Sequence, residues 1–421
     1  MNYRSHHWGV IGLVLLALSL GVTGGLVIGC KILDASPPPS TLSAGAEPDF
    51  HLMAEAWNTI QRSYVDRKAV NPRLMTYGAI SGMVDALGDT GHSRFLNPEM
   101  AHQEMNLIRG KLEGIGAEIQ NKNNQITIVA PMDGSPAQKA GLKPGDVILK
   151  VNGEEVGGLP LEQVASRILG PSGTPVQLTI FNPSTGETRE ITLVRANITL
   201  RNVTWQLLPG TRLVHLRVAS FSRGVAKELK RALIDIQPQK SAGIILDLRN
   251  NPGGIFAEAV EAASQFLERG NVALERNSAG KIDPVPVKPG GLALTVPLVV
   301  LVNEGTASAP EIVSGALQDA QRAKLVGEKT FGTGTVLQKF SLSDGSALLI
   351  AIEEWLTPAG RTIWHRGISP DLAVSLPPNA APLFPQAEKG MTEEELRASK
   401  DEQLLRALDL FSHRAEDRAR D

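Results

Sequence analysis

Cysteine is nearly absent from this chain, which has a single one, Cys30, in 421 residues. An internal disulfide is therefore excluded, and with neither a CxxC pair nor an HExxH motif the sequence gives no indication of a metal site. A GxGxxG turn after a strand and a Walker loop are also missing, so nothing supports nucleotide binding. The 42 Lys and Arg residues are matched by 44 Asp and Glu residues, so no charge excess points to nucleic acid. We expect no cofactor, no metal and no nucleic-acid partner.

Residues 1–33 are predicted to be a membrane anchor or a signal segment. No charged residue occurs from Trp8 to Gly29, and this apolar run is long enough to cross a bilayer as a helix. The tetrapeptide "VIGC" (27–30) also resembles a lipobox, which would leave Cys30 acylated. A linker follows over residues 34–46. The bulk of the chain is therefore expected outside the cytoplasm, in the cell envelope or periplasm, as a membrane-anchored protein, a lipoprotein or an exported protein.

A helical domain is predicted over residues 47–110. The apolar side chains of "FHLMAEAWNTIQRSYVD" recur at three- and four-residue spacing, which is typical of a helix packed on a core. That predicted core stripe consists of Phe50, Met53, Ala54, Trp57, Ile60 and Tyr64. A second helix is predicted in "YGAISGMVDALG", and His92 of the loop that follows is expected to be a structural histidine.

Residues 111–197 predict a small β-rich module. A glycine-rich entry, "EGIGAEI", precedes an alternating strand, and Ser135 is placed to cap a short helix that begins at Pro136 and ends at Gly141. The pair Asn152-Gly153 predicts a tight hairpin turn. With "SPAQKAGLKPGDVILKVNG" as its most specific part, this segment resembles a PDZ domain.

The PDZ resemblance implies a site for a free peptide C-terminus. Backbone N–H groups of the turn formed by Gly114, Ile115, Gly116 and Ala117 would bind the terminal carboxylate, and the peptide would add as a strand along the edge that reaches Ile119. Glycine suits this position because the ligand approaches the backbone closely. The alternative is a glycine turn that serves only the fold.

The segment 198–373 alternates predicted strands and helices, which indicates an α/β core. The whole chain is thus expected to be a multidomain α/β protein, with an N-terminal helical region and an inserted β-rich module. A proline-rich segment and a C-terminal helix are predicted over residues 374–421, where Thr392 and Glu395 form a capping-box pattern. This last helix is expected to dock on the core, with dimerisation as the alternative.

Two junctions of the core carry candidate chemistry. In "DLRNNPGG" (247–254) a strand opens through glycines onto a helix, and in "NEGTASAPEI" (303–312) Ser308 comes directly before a helical first turn. Such a serine can simply cap the helix. It can also attack a carbonyl carbon while helix-start N–H groups receive the oxyanion. The sequence therefore leaves both a structural cap and an acyl-transfer site open.

The order of motifs from residue 46 to 372 resembles the carboxyl-terminal processing peptidases, the tail-specific serine proteases. These motifs are "GHSRFL", the PDZ-like module, "DLRNNPGG", "NEGTASAPEI", "ALQDAQRAKLVGEKTFG", "LSDGSAL" and "GISPD". The resemblance implies that Ser308 is the nucleophile and that Ala309, Gly253 and Gly254 form the oxyanion hole. It also implies a lysine base in a motif that reads "FGKGTVQ".

This chain departs from that pattern at the base. Its segment "FGTGTVLQ" (331–338) has Thr333 at the lysine position and Leu337 where the family has glutamine. Threonine cannot act as a general base at ordinary pH. Lys329 lies four residues away, about 13 Å along an extended backbone, and only a bend at the flanking glycines would bring it back. His215 and His365 are the other candidate bases.

A second departure concerns control. The family can carry an arginine that links the PDZ domain to the active site, where this chain has Leu169, with Arg167 two residues earlier. Two functions remain open. The first is a serine endopeptidase that captures unstructured C-termini and cleaves them with Ser308. The second is a catalytically silent, membrane-tethered peptide-binding relative. The sequence gives no oligomeric state.

Overall fold

We describe a computed structural model of the chain, which covers residues 49–89, 93–108, 111–122, 125–131, 135–143, 145–159, 161–183, 185–199, 202–239, 241–377 and 380–418. The predicted membrane or signal segment, the linker, Cys30 and His92 lie outside these residues. Within the ranges given, no helix is both long enough and apolar enough to cross a bilayer.

The N-terminal region is helical, as its periodicity predicts, but its apolar stripe is not buried. The elements are α1 (Phe50–Ser63), α2 (Pro72–Asp85), β1 (Arg94–Leu96) and α3 (Pro98–Ile108). The helices α1 and α2 begin at side-chain caps, Asp49 and Asn71. Nevertheless α1 buries none of its residues, and Phe50 and Ile60 are 54% and 43% exposed. The prediction that the stripe Phe50, Met53, Ala54, Trp57, Ile60 and Tyr64 lies in a core is wrong for the described structure.

The β-rich module forms its own core. Its elements are β2 (Lys111–Gly114), β3 (Ala117–Lys122), β4 (Gln125–Pro131), α4 (Pro136–Lys139), β5 (Val147–Val151), β6 (Glu154–Glu155), α5 (Leu161–Ile168), β7 (Pro175–Asn182), β8 (Glu187–Val194) and β9 (Ala196–Thr199). Strands β3, β4, β5, β7 and β8 form an antiparallel sheet in that order, and β6 pairs with β5. Strands β2 and β9 pair separately where the chain enters and leaves the module.

Local signals in this module are confirmed. Ser135 accepts a hydrogen bond from the Gln138 N–H at 3.1 Å, as an N-cap does. Asn152 and Gly153 both have positive φ, 51° and 83°, which is the backbone of a type I′ turn between β5 and β6. A branched residue would be strained at either position.

A mostly parallel sheet organises the rest of the chain. It consists of β10 (Val203–Leu207), β11 (Leu213–Val218), β12 (Gly243–Asp247), β15 (Leu298–Val302), β16 (Lys324–Gly327) and β19 (Leu372–Ala373), in that order. Only the β10–β11 pair is antiparallel. Three helices pack on one face: α6 (Val225–Ile236), α7 (Phe256–Ala263) and α8 (Ala309–Asp319). A single 3₁₀ turn, Gln237–Gln239, follows α6.

A second sheet borders this core. It consists of β1 with β13 (Asn271–Asn277), β14 (Ile282–Pro286), β17 (Thr335–Ser341) and β18 (Ala347–Leu356), all antiparallel. The short strand β1 pairs with β18, which ties the N-terminal region to the core. Trp355 of β18 is buried and stacks on Phe256 at the start of α7.

The C-terminal segment covers the other face of the parallel sheet. It contains α9 (Pro385–Glu388), α10 (Glu393–Arg397) and α11 (Glu402–Arg418). Leu404 and Leu408 of α11 are buried with Ile245 and Leu301 of the sheet. The prediction that the last helix docks on the core is confirmed, and so is the multidomain α/β fold class.

Candidate active site

Two loops meet where neighbouring parallel strands end. Strands β12 and β15 pair in parallel, so residues 248–255 and 303–308 leave the sheet at the same edge. Asparagine side chains join the two loops. The Asn250 N–H donates to Asn303 Oδ1 at 2.8 Å, and the Asn303 side-chain amide donates to Asn250 Oδ1 at 2.7 Å. The two junctions that the sequence singles out are therefore held side by side.

Gly253 lies directly against Ser308. A Cβ atom added to Gly253 would lie 2.9 Å from the Ala307 carbonyl oxygen and 3.0 Å from the Ser308 Cβ, so only glycine fits between them. At Gly254 a Cβ would lie 2.4 Å from the Phe221 carbonyl oxygen. Both glycines have positive φ, 112° and 138°. The glycine loop is thus shaped to approach the serine by its backbone.

Ser308 is a strained, buried residue with a hydroxyl that bonds to nothing in the described structure. Its φ of 64° and ψ of −112° lie outside the common regions, a conformation that costs on the order of 1–3 kcal/mol. Its Oγ has no hydrogen-bond partner among the described residues, although the residue is 1% exposed. The interpretation as an ordinary helix cap therefore fails, because a cap hydroxyl accepts a backbone N–H.

Two backbone N–H groups beside Ser308 have no acceptor in the described structure. They are those of Ala309, the first residue of α8, and of Gly254. The Gly253 N–H, in contrast, donates to Asn251 Oδ1 at 2.9 Å. The N–H groups of Ala309 and Gly254 are therefore the open donors. Gly253 instead allows the backbone of the glycine loop to lie close to Ser308.

Glu311 connects Ser308 to the segment around Thr333 through hydrogen bonds. It is fully buried, and its Oε2 accepts the Ser308 N–H at 2.7 Å and the Thr333 N–H at 2.9 Å. Its Oε1 accepts the Thr330 hydroxyl at 2.6 Å and the Gly332 N–H at 2.7 Å. Burial raises the pKa of this carboxyl, and the four hydrogen bonds oppose that shift. All four acceptor positions are thus occupied.

The turn that carries Thr333 depends on its two glycines. Gly332 and Gly334 have φ of 94° and 55°. Added Cβ atoms would lie 2.8 Å from the Gly367 nitrogen and 2.2 Å from the Trp364 nitrogen, respectively. The sequence left open whether the chain bends at these glycines, and in the structure it does. The bend allows the Thr333 N–H to donate to Glu311.

Thr333 is a buried residue. It is fully buried, and its hydroxyl has no partner among the described residues. Leu337, at the position of the family glutamine, packs against Ala307 and Ala351. The positions of the family lysine and of the glutamine that accompanies it in the motif are thus occupied by a short hydroxyl side chain and an aliphatic one.

Neither Lys329 nor His365 is in the environment that a buried base requires. Lys329 is exposed. His365 is exposed as well, and its ring stacks on Trp364. Its backbone N–H donates to the Gly332 carbonyl oxygen.

His215 is bonded through both ring nitrogens. Its Nδ1 lies 2.5 Å from Glu388 Oε1 and its Nε2 lies 3.0 Å from Asp247 Oδ2. Burial alone would lower the pKa of this imidazolium, but the two carboxylates outweigh it and raise the pKa to about 9. A histidine that donates to two carboxylates has no lone pair for a serine proton.

The turn that is predicted to bind a carboxylate is closely packed. Gly116 has a φ of 71°, and a Cβ there would lie 2.4 Å from the Ser135 Cβ. The Ile115 carbonyl accepts the Ala137 N–H at 2.8 Å, and Ile115, Ala117 and Ile119 are buried. Strand β3 is at the edge of its sheet, since β4 is its only partner among the described strands.

The two residues considered for coupling make contacts inside the β-rich module. Leu169 lies beside the turn, because a Cβ on Gly114 would be 3.1 Å from Leu169 Cδ2. Arg167 forms an ion pair with Glu154 at 2.7 Å. The described residues also contain no group of side chains arranged to hold a metal ion.

Comparison with known proteins gives the family. Residues 212–374 match peptidase family S41, and residues 127–180 match the PDZ domain. A carboxyl-terminal-processing protease of Synechocystis sp. is 38% identical over 360 residues, which cover 80% of this chain and 83% of the relative. The chain belongs to peptidase family S41. It is a serine-type hydrolase of the carboxyl-terminal processing class with a PDZ domain.

Two further relatives agree. The carboxy-terminal processing protease CtpA of Bacillus subtilis is 33% identical over 381 residues, or 90% of this chain and 78% of that protein. A solved photosystem II D1 C-terminal processing protease covers 84% of this chain and 100% of its own, at 30% identity and a TM-score of 0.52. These similarities favour the peptidase over the silent peptide-binding relative.

Sequence reasoning missed the role of Glu311 in this S41 site. The spacing of Ser308 and Glu311 is that of a capping box, the same signal that identifies Thr392 and Glu395. Only half of that motif forms here: the Ser308 N–H donates to Glu311, whereas the serine hydroxyl accepts nothing. The bonds from Thr330 and Gly332 could not be foreseen, since they depend on the folded bend.

Proposed function

We propose that Ser308 is the nucleophile of an endopeptidase that cleaves polypeptides near unstructured C-termini. The observation that carries this proposal is the Ser308 hydroxyl: it is buried, bonds to no described group, and belongs to a residue held at a φ of 64° against the glycine loop. Strain of this kind persists where surrounding bonds over-determine it, and here the Glu311 carboxylate holds the Ser308 N–H.

The oxyanion formed by the attack would be received by two N–H groups. They are the N–H groups of Ala309 and Gly254, which have no acceptor in the described structure. The positive end of α8 adds to their effect, because the first N–H groups of a helix favour negative charge. Donors that are already in place require no reorganisation during the reaction.

The PDZ module would select the substrate by its free C-terminus. Backbone N–H groups of the Gly114–Ala117 turn would bind the carboxylate, and the peptide would pair with the open edge of β3. We further propose that the enzyme works outside the cytoplasm, held at the membrane by the uncharged segment from Trp8 to Gly29 or by an acylated Cys30.

The test compares the full-length chain with its Ser308→Ala and Thr333→Lys variants. The substrate is a folded protein with a disordered, apolar C-terminal tail that contains lysine. We expect wild-type cleavage that Ser308→Ala abolishes, and faster cleavage by Thr333→Lys, because this variant places a lysine at the position of the family base. Cleavage that persists in Ser308→Ala, or no cleavage by any form, overturns the assignment of the nucleophile.

Peptide capture is tested separately with Gly116→Ala, whose Cβ would collide with Ser135. We expect weaker binding of a C-terminal peptide by calorimetry. Gly153→Ala, which has the same positive φ but open space around it, is the matched control. Equal binding by both variants contradicts the proposed turn.

A further inference from the structure

The site contains a buried negative charge but no positive charge in contact with it. Glu311 is fully buried and receives four hydrogen bonds, yet no lysine, arginine or histidine of the described residues forms a salt bridge with it. Hydrogen bonds offset part of the cost of burying a carboxylate, and a neighbouring cation would offset more. The surroundings on the side of Leu337, Ala307 and Ala351 are apolar. The position thus favours a group that becomes positive.

Two hydroxyls of the same site lack partners. They belong to Ser308 and Thr333, whose N–H groups converge on a single Glu311 oxygen. Leaving a buried polar group without a hydrogen bond is costly, so two such hydroxyls in one place point to a site for a polar ligand. A ligand that both accepts a proton and donates hydrogen bonds would satisfy both hydroxyls.

We propose that a neutral primary amine, which the described residues do not supply, binds between Ser308, Thr333 and Glu311 and acts as the general base. The amine nitrogen takes the proton from Ser308 Oγ as Oγ bonds to the scissile carbonyl carbon. The resulting ammonium then lies near the Glu311 carboxylate and donates a proton to the leaving amine nitrogen as the C–N bond breaks. This inference rests on the proposed function of Ser308.

An amine fits this place better than other bases. A carboxylate base would be repelled by Glu311, since two buried like charges disfavour ionisation of both. The ammonium product is instead stabilised by Glu311, and one of its N–H groups can bond to the Thr333 hydroxyl. The amine can come from a lysine side chain of the substrate or from a free small amine, and both offer the same chemistry.

The experiment uses the full-length chain and matched substrates whose disordered tails differ at one residue near the cleaved bond. That residue is lysine, acetyl-lysine, arginine or norleucine. If the substrate supplies the base, the lysine substrate is cleaved about 100-fold faster than the other three, which is within the usual contribution of a general base. If a free amine supplies it, millimolar methylamine accelerates cleavage of the norleucine substrate to a similar extent, and lysine gives no advantage.

Thr333 variants separate this inference from the proposed function. Thr333→Lys should cleave the norleucine substrate without added amine. Thr333→Val keeps the shape but removes the hydroxyl, so the methylamine concentration that gives half-maximal rescue, or the KM for the lysine substrate, should rise several-fold while the melting temperature is kept. This readout would not change if Thr333 were only structural.

The outcomes are decisive in each direction. Equal rates for all four substrates, with no effect of methylamine, overturn the amine site. If Thr333→Lys is active in that case, the assignment of Ser308 stands and only the amine inference fails. If Thr333→Lys folds, as its melting temperature reports, and neither it nor the wild type with methylamine cleaves any substrate, both proposals fail.

Discussion

Glu311 is the residue on which the geometry of the site depends. Its four partners are all donors, and a carboxylate is an acceptor only. In Glu311→Gln, one oxygen would be replaced by an NH₂ group that faces two donors. We expect a loss of about 2 kcal/mol in the free energy of unfolding, because two buried donors would lose their acceptor. Urea unfolding measures it.

The matched control for this substitution is Glu304→Gln, on the exposed part of the loop before Ser308. It should change the free energy of unfolding by less than about 0.5 kcal/mol. Equal stability of both variants would mean that the four bonds to Glu311 contribute little.

Gly253 controls how closely the glycine loop approaches the serine. Gly253→Ala would place a Cβ 3.0 Å from the Ser308 Cβ and 2.9 Å from a backbone oxygen. Because the neighbour is backbone, the loop must move, and the Gly254 N–H moves with it. We expect kcat to fall by about 100-fold or more, as when an oxyanion donor is lost, with little change in KM.

Gly270→Ala is the control for backbone strain alone, since Gly270 also has a positive φ, 94°, but no atom within 4 Å of an added Cβ. It should lose stability and keep kcat. A similar kcat in both variants would argue against the close approach of the two loops.

At the scale of single residues, the sequence predicts which residues belong to the site but not how they contact one another. Ser308, Gly253 and Gly254 can be recognised from motifs, and their meeting follows from the parallel strands that precede them. The sequence does not predict which of the two glycines keeps an open N–H. That depends on the hydrogen bond that the Gly253 N–H donates to the Asn251 side chain. The unpaired hydroxyl of Thr333 likewise depends on packing that no local pattern encodes.

At the scale of elements, the helical pattern predicts conformation better than it predicts burial. Both α1 and α11 carry an apolar stripe, and both are helical. The stripe of α11 is buried against the parallel sheet, whereas α1 buries no residue. Periodicity identifies a face, but the partner of that face is a tertiary property.

The contact between α11 and the sheet can be measured by one substitution. Leu404→Ala removes a fully buried side chain between α11 and the sheet residues Ile245 and Leu301. We expect a loss of about 2–5 kcal/mol, the usual cost of such a truncation. Arg406→Ala, on the exposed side of the same helix, should cost less than about 0.5 kcal/mol. A small effect of Leu404→Ala would revive the alternative of a dimerisation helix, which light scattering would detect.

At the scale of the whole molecule, a buried charge network joins the C-terminal segment to the strand end that leads into the glycine loop. Arg249 is fully buried and bonds to Asp247 Oδ2 at 2.7 Å and to Asp401 Oδ1 at 2.8 Å. His215 bridges Asp247 and Glu388. Despite burial, Arg249 and His215 lower the pKa of Asp247, so this carboxylate stays ionised at neutral pH.

We expect the titration of His215 in this network to make the free energy of unfolding depend on pH in the alkaline range. Its pKa is about 9 in the folded protein, against 6.5 for an unperturbed histidine. The imidazolium therefore stabilises the fold fully below pH 6.5, and that contribution is lost as the pH rises through about 9. The difference between the two pKa values corresponds to about 3 kcal/mol.

We expect the free energy of unfolding, measured in urea across this window, to fall for the wild type. His215→Gln should be less stable near neutral pH, because one buried carboxylate loses its partner and no cation remains between the two. Since glutamine does not titrate, the gap between this variant and the wild type should close toward pH 9. His51→Gln, on the exposed helix α1, should retain the wild-type slope. If His215→Gln shows the same dependence of the free energy of unfolding on pH as the wild type, another group is responsible for it.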